Sequence, residues 1–140
     1  MQYITQVDNT LWALISRLQG TELQTPSNAS NTRFRIAAVS NDHVEVVTGT
    51  NNSLVTLTRA AFQQTLDYLA SNRHFGEAHA VEIGSSRTSA NAGPLCHAAR
   101  RQPDGRPGTV VITYILPILE HCQAVAIQRD VKPTSTWLVP

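Results

Sequence analysis

Apolar residues recur every three or four positions near the start of the chain. They are Ile4, Val7, Leu11, Leu14, Ile15 and Leu18. Because a helix turns once in 3.6 residues, this spacing places all of them on one face. The pattern predicts an amphipathic helix that ends near Gly20. The polar run over residues 21–32, which contains Pro26, predicts a surface loop.

The next part of the chain has the alternation and composition of β-strands. Apolar and polar residues alternate over 33–39, and a polar turn leads into the β-branched run 43–47. After a second turn, residues 54–57 have the same character. These three segments predict an antiparallel meander of three strands.

A second helix is predicted directly after the meander. Thr58 is a suitable N-cap, and Phe62, Leu66 and Leu69 then share one helical face. The first half of the chain, up to about residue 75, therefore predicts a helix, a three-stranded meander and a helix.

The second half begins with short elements. Residues 80–84 have the composition of a short strand, and Pro94 is placed where a helix can begin, with Arg101 at its end. Residues 102–108 are rich in Pro and Gly and predict a loop.

The last part of the chain predicts a helix followed by a hairpin. Residues 110–122 are apolar nearly throughout: 110–112 favour an extended start, and the rest favours a helix that holds Pro117 in its first turn or is kinked by it. Residues 124–128 and 134–139 can pair as a hairpin.

The elements predict an α+β fold, and length and composition support one domain over residues 1–140. Apolar residues make up 41% and charged residues 15%, and the 140-residue chain is long enough to bury a single core. The net charge is only +1, which by itself predicts no polyanionic partner. The beginning of the chain lacks a basic and apolar leader, and no apolar run is long enough to span a bilayer, so a cytoplasmic location and no membrane contact are expected.

The order of elements in the second half resembles the winged-helix variant of the helix-turn-helix family. The segments that carry this resemblance are 94–101, 113–122 and the hairpin 124–139. In that family the second helix enters the major groove of DNA and the hairpin contacts the backbone or minor groove. The resemblance implies duplex DNA as a partner. The residues expected to contact DNA are Arg100, Arg101, Arg106, Tyr114, Arg129 and Lys132.

The chain as a whole is also similar to accessory DNA-reading domains attached to restriction enzymes, where a small sheet and a helix precede such a unit. The segments concerned are 34–36, 44–47 and 56–59. This similarity implies a regulatory or accessory domain of a restriction or defence system.

Cysteine and histidine residues suggest two other chemistries. Cys96-His97 and His121-Cys122 contain four zinc-ligand types, but adjacent helical residues point about 100° apart, so no metal or other cofactor is expected. Cys96 lies in the first turn after Pro94, where a thiol pKa is lowered, so it is the candidate nucleophile of a small cysteine hydrolase.

Three functional hypotheses follow from the sequence. The first is a non-enzymatic DNA-binding or DNA-associated module. The second is a protein-interaction or oligomerisation domain, with a homodimer or another protein as partner, that uses the apolar helix from Tyr114 to Leu119 or the indole of Trp137. The third is the small cysteine hydrolase.

Overall fold

Two antiparallel sheets and the helices packed against them make up the fold. The computed structural model describes residues 2–28, 32–49, 52–106 and 108–140. The helices within this part of the chain are α1 (Asn9–Ser16), α2 (Arg59–Ser71), α3 (Pro94–Arg100) and α4 (Ile112–His121). Its strands are β1 (Glu22–Gln24), β2 (Arg33–Val39), β3 (His43–Thr48), β4 (Ser53–Thr58), β5 (Val81–Glu82), β6 (Val125–Gln128) and β7 (Ser135–Leu138). The predicted α+β class is confirmed.

The N-terminal sheet has the strand order β1-β2-β3-β4, with every neighbour antiparallel. The predicted three-stranded meander is confirmed as β2, β3 and β4, but the prediction of a loop over 21–32 was wrong at β1, which adds a fourth strand to the sheet. Leu23 of β1 is in register with Phe34. Three residues with polar neighbours have no strand signature of their own, so tertiary pairing decides their conformation.

Helix α1 begins later than its apolar periodicity predicts. The side chain of Asp8 caps the helix by accepting a hydrogen bond from the backbone N–H of Leu11, at 2.9 Å. Val7 lies before the helix, where its N–H donates to Oε1 of Gln63 at 2.7 Å. The first two apolar residues of the predicted stripe therefore belong to the segment that precedes α1.

The predicted order of two helices and a hairpin is confirmed in the second half. Pro94 occupies the first turn of α3, and Pro117 lies inside α4 rather than in its first turn. Strands β6 and β7 form the hairpin, and β5 pairs with β7 to give the C-terminal sheet in the order β5-β7-β6. Membership of the winged-helix family remains a prediction.

Buried apolar side chains from both halves form one cluster. Helix α4 contributes most of its length, since five of its apolar side chains are fully buried: Ile112, Ile115, Leu116, Ile118 and Leu119. Phe34 and Ile36 cover the core from the N-terminal sheet. None of the helices in the described ranges is both long and apolar enough to cross a membrane.

Candidate binding groove

Strand β4 is the last strand of the N-terminal sheet, and one of its edges faces away from β3. The backbone N–H of Arg59 donates to the carbonyl oxygen of Asp42 at 2.8 Å, which extends the ladder between the two strands by one pair. Bonded and non-bonded pairs alternate in antiparallel ladders. The N–H and C=O groups of Leu54 and Thr56 therefore point away from β3, toward the edge.

A groove runs along this edge, between β4 and the segment 108–111. We call it the β4 groove. Two adjoining cavities of about 380 and 570 Å³ make it up, and they share Arg100, Gln102, Gly108 and Thr109. In the described parts of the chain, no backbone hydrogen bond joins 108–111 to β4. The other residues of its lining are Thr48, Ser53, Val55, Thr56, Thr58, Ala60, Ala61, Gln64, Arg87, Ala99, Arg101, Pro103, Val110, Val111 and Tyr114.

The charged side chains that line the β4 groove are all positive. Three arginines line it, and no described residue of its lining is an Asp or Glu. Arg87 and Arg101 are exposed and lie in different cavities: Arg87 beside the beginning of β4, and Arg101 beside its end. The lining is therefore suited to a ligand that carries negative charge.

Arg100 is buried and holds the two arginine-bearing segments together. Its Nε donates to the carbonyl oxygen of Gly108 at 2.6 Å. Its Nη1 donates to the carbonyl oxygen of Ser86 at 2.7 Å, and its Nη2 donates to that of Arg87 at 3.1 Å. One guanidinium thus connects the segment that carries Arg87 to the loop that follows Arg101.

The C-terminal end of α3 is held against α2 by a single amide. Nε2 of Gln64 donates to the carbonyl oxygens of Ala98 at 2.8 Å and Arg101 at 3.1 Å. These carbonyls lie at a helix end, where intrahelical partners are lacking. The contact fixes Arg101 relative to the strand–helix junction at Thr58, and so fixes one end of the groove.

The segment 84–93 is closed at its base by a direct contact between two glycines. Gly84 has a φ of +61°, and a Cβ on it would lie 2.9 Å from the Cα of Gly93. The N–H of Gly93 donates to the carbonyl oxygen of Gly84 at 2.8 Å. The segment 84–93, which carries Arg87, therefore leaves and returns to the core at one point.

Three of the residues expected to contact DNA lie at the groove, and three do not line it. Arg100, Arg101 and Tyr114 line it. Arg106 is exposed and pairs with Asp104, with 2.5 Å between Nε and Oδ2. Lys132 is exposed in the hairpin loop.

Arg129 is a cross-link between distant parts of the chain. Its guanidinium contacts Oε1 of Glu120 at 2.6 Å and the carbonyl oxygen of Thr25 at 2.6 Å. It also donates to the carbonyl oxygen of Gln24 at 3.3 Å. The arginine therefore fastens β1 to the hairpin and to α4.

Helix α4 does not present a face of hydrogen-bond donors to solvent. The ring of Tyr114 packs edge-on against the ring of Phe34, with 5.2 Å between the two centroids. Only Thr113, Tyr114 and Glu120 are half-buried and His121 exposed, while the rest of the helix is buried. Reading of base edges by the second helix, which the winged-helix resemblance implies, needs several exposed donors along one face, and the one exposed residue of α4 is His121 at its end.

The two cysteines are buried and reduced. Sγ of Cys96 lies 3.9 Å from Nη1 of Arg100. Burial raises the pKa of the Cys122 thiol to about 11, which disfavours its thiolate. Within the described ranges, no group of three or more His, Cys, Asp or Glu side chains is arranged to hold a metal ion.

Sequence reasoning missed Arg87, Gln64 and the edge of β4. Arg87 lies in a polar connector that has no recognisable pattern. Gln64 falls on the half-buried side of a well-predicted helix. A usable signal for the edge existed: β4 is the last strand of the meander, so one of its sides had to lack a neighbour from that meander.

The chain matches no family model, no curated protein and no solved structure.

Proposed function

We propose that this chain is a non-enzymatic protein-interaction module that binds an extended segment of a partner in the β4 groove. The main observation in support is the outward edge of β4, where the N–H and C=O groups of Leu54 and Thr56 face the groove. An extended peptide can add to such an edge as another strand, with main-chain hydrogen bonds providing affinity and the adjacent pockets providing specificity.

The composition of β4 supports this role. Open strand edges in monomeric proteins are usually protected by Lys, Pro, a bulge or a covering element. The sequence Ser53–Thr58 contains neither charge nor proline, and its register with β3 is continuous. Leu54, its second residue, is 60% exposed. An edge of this kind is suited to a protein partner.

Peptide selection with an edge-blocked variant tests the proposal. Thr56→Pro removes one N–H that faces the groove, and it leaves the ladder to β3 intact because Thr56 does not bond to that strand. Thr56→Ala is the matched control that keeps the N–H. A displayed library of peptides of about twelve residues is selected on the wild type and screened on both variants. Enriched peptides should bind the wild type and Thr56→Ala but not Thr56→Pro. Absence of enriched peptides, or equal binding to both variants, would refute the proposal.

A second candidate function is DNA association through the phosphate backbone. It is favoured by the exposed side chains of Arg87, Arg101 and Arg106 on neighbouring loops. Arginines position proteins on phosphates without reading sequence, so this function does not need an exposed α4.

A salt series tests DNA association. For a protein that neutralises three phosphates, the logarithm of the binding constant falls with the logarithm of the salt concentration with a slope of about −3. Replacement of the three exposed arginines by Gln should remove this dependence on salt. Arg100 is left in place because it is buried. A fluorescent duplex that does not bind at low salt, or binds the triple variant as well as the wild type, would refute this function.

A further inference from the structure

The charges around the β4 groove indicate what kind of segment it accepts. We infer that the partner segment is acidic at both ends and uncharged in between, an inference that rests on the proposed protein-interaction function. Arg87 shares a cavity with Ser53, and Arg101 shares the other cavity with Thr58. The first and last residues of β4 therefore each line a cavity that an exposed arginine also lines.

The length of β4 sets the spacing of these charges. A strand rises about 3.3 Å per residue, so the step from Ser53 to Thr58 covers roughly 17 Å. An added strand that pairs along this length places carboxylates near both arginines when its acidic residues are about five positions apart.

The smaller cavity of the groove, toward the end of β4, is lined mainly by small and uncharged side chains. Val55 and Thr56, which lie between the two ends of β4, are uncharged too. Ala60, Ala61 and Ala99 line the smaller cavity on the side of α2 and α3. Their short side chains leave the space that forms the cavity of about 380 Å³. The described lining has no carboxylate that would repel an acidic segment.

Arg100 gives the arginine pair a defined separation. Its hydrogen bonds reach the carbonyl oxygens of Arg87 and Gly108. It also precedes Arg101 directly in the chain. The backbone of Arg87 is therefore tied to the residue that precedes Arg101, which limits how far the backbones of the two exposed arginines can move apart.

Binding of designed peptides tests the inference. The probe is a labelled peptide of about eight residues with Glu near each end and Val and Thr between, and a matched peptide carries Lys in place of Glu. Exposed ion pairs are individually weak, so with two of them the Glu peptide should bind about tenfold more tightly than the Lys peptide. Arg87→Gln combined with Arg101→Gln should abolish that preference. Arg33→Gln combined with Arg35→Gln, which changes exposed arginines on β2, is the control and should leave it intact.

The outcomes separate this inference from the function on which it rests. Equal binding of both peptides, lost in Thr56→Pro but kept in Thr56→Ala, would overturn the acidic partner and leave strand addition standing. Failure of every peptide to bind would overturn both. A single-stranded or duplex oligonucleotide that binds the two arginines more tightly than the Glu peptide would also overturn the inference, because the partner would then be a nucleic acid. A dimer of the protein alone, lost in Thr56→Pro by sedimentation, would overturn it in favour of a second copy.

Discussion

Arg100 and Gly108 form a reciprocal pair of hydrogen bonds. The Nε of Arg100 donates to the carbonyl oxygen of Gly108 at 2.6 Å, and the N–H of Gly108 donates to the carbonyl oxygen of Arg100 at 3.0 Å. A Cβ on residue 108 would collide with that same carbonyl oxygen. The backbone of the loop is therefore in direct contact with the end of α3, and the guanidinium extends from this point to the segment 84–93.

Replacement of Arg100 should destabilise the protein strongly. Arg100→Met leaves the carbonyl oxygens of Ser86, Arg87 and Gly108 without their charged donor, so the free energy of unfolding should fall by about 3 kcal/mol. Urea denaturation measures the change. Arg101→Met is the control, because Arg101 is exposed, and it should change stability by less than about 0.5 kcal/mol. Similar effects of the two substitutions would contradict the structural role of Arg100.

The contact between Gly84 and Gly93 should not tolerate a methyl group. Gly84→Ala adds a Cβ 2.9 Å from the Cα of Gly93 at a φ of +61°, so steric overlap and backbone strain combine, and unfolding should become easier by about 3 kcal/mol. Gly20→Ala is the matched control. Gly20 also has a positive φ, +89°, but nothing lies within 4 Å of its added Cβ. Gly20→Ala should lose only about 1 kcal/mol of stability, from backbone strain alone, and an equal loss of stability at both positions would exclude the steric contribution.

How far sequence predicts this fold depends on whether the deciding contact is local. Helices α2 and α3 were predicted correctly because their start signals are local: Thr58 caps α2 and Pro94 begins α3. Strand β1 was missed because contacts outside its own three residues decide its conformation, including the pairing with β2. Its last residue, Gln24, is held by Arg129, about a hundred positions away.

The same reason explains how far the candidate site was predictable. The sequence drew attention to the junction of Arg100, Arg101 and Tyr114, and all three line the β4 groove. It did not distinguish the two adjacent arginines, of which one is buried and the other exposed. Only the positions of Ser86 and Gly108 decide which arginine turns inward.

Protonation of His43 should be coupled to Asp42. Nδ1 of His43 lies 2.7 Å from Oδ1 of Asp42, and this hydrogen bond raises the pKa of His43 and lowers the pKa of Asp42. Ser40 also donates to Asp42, at 3.0 Å, and lowers its pKa further. An NMR titration of the His43 ring should show a midpoint above 6.5, and Asp42→Asn should lower it. A midpoint that does not change in the variant would contradict the coupling.

The coupling also has a defined dependence of stability on pH. The raised pKa of His43 adds stability below its ordinary value of 6.5, which is lost as pH rises through the folded value. The lowered pKa of Asp42 adds stability above its ordinary value of 3.8, which is lost as pH falls through the folded value. The difference in stability between wild type and Asp42→Asn should therefore be largest between pH 3.8 and 6.5.

Cys122 should be slow to alkylate in the folded protein. Burial raises its pKa from 9.0 to about 11, so its thiolate fraction at pH 8 falls about a hundredfold. Iodoacetamide modification at pH 8, followed by mass spectrometry of the peptide that contains Cys122, should be at least about a hundredfold slower than in urea. Comparable rates in the two conditions would show that the thiol is accessible and ionised.

Amide hydrogen exchange in β4 tests strand addition most directly. In the free protein the N–H groups of Leu54 and Thr56 face the β4 groove, whereas the N–H of Val55 faces β3. Addition of the Glu peptide should slow exchange at Leu54 and Thr56, and exchange at Val55 should change little. Protection of the two groove-facing amides is the result that strand addition predicts. Peptide binding that leaves their exchange unchanged would contradict it.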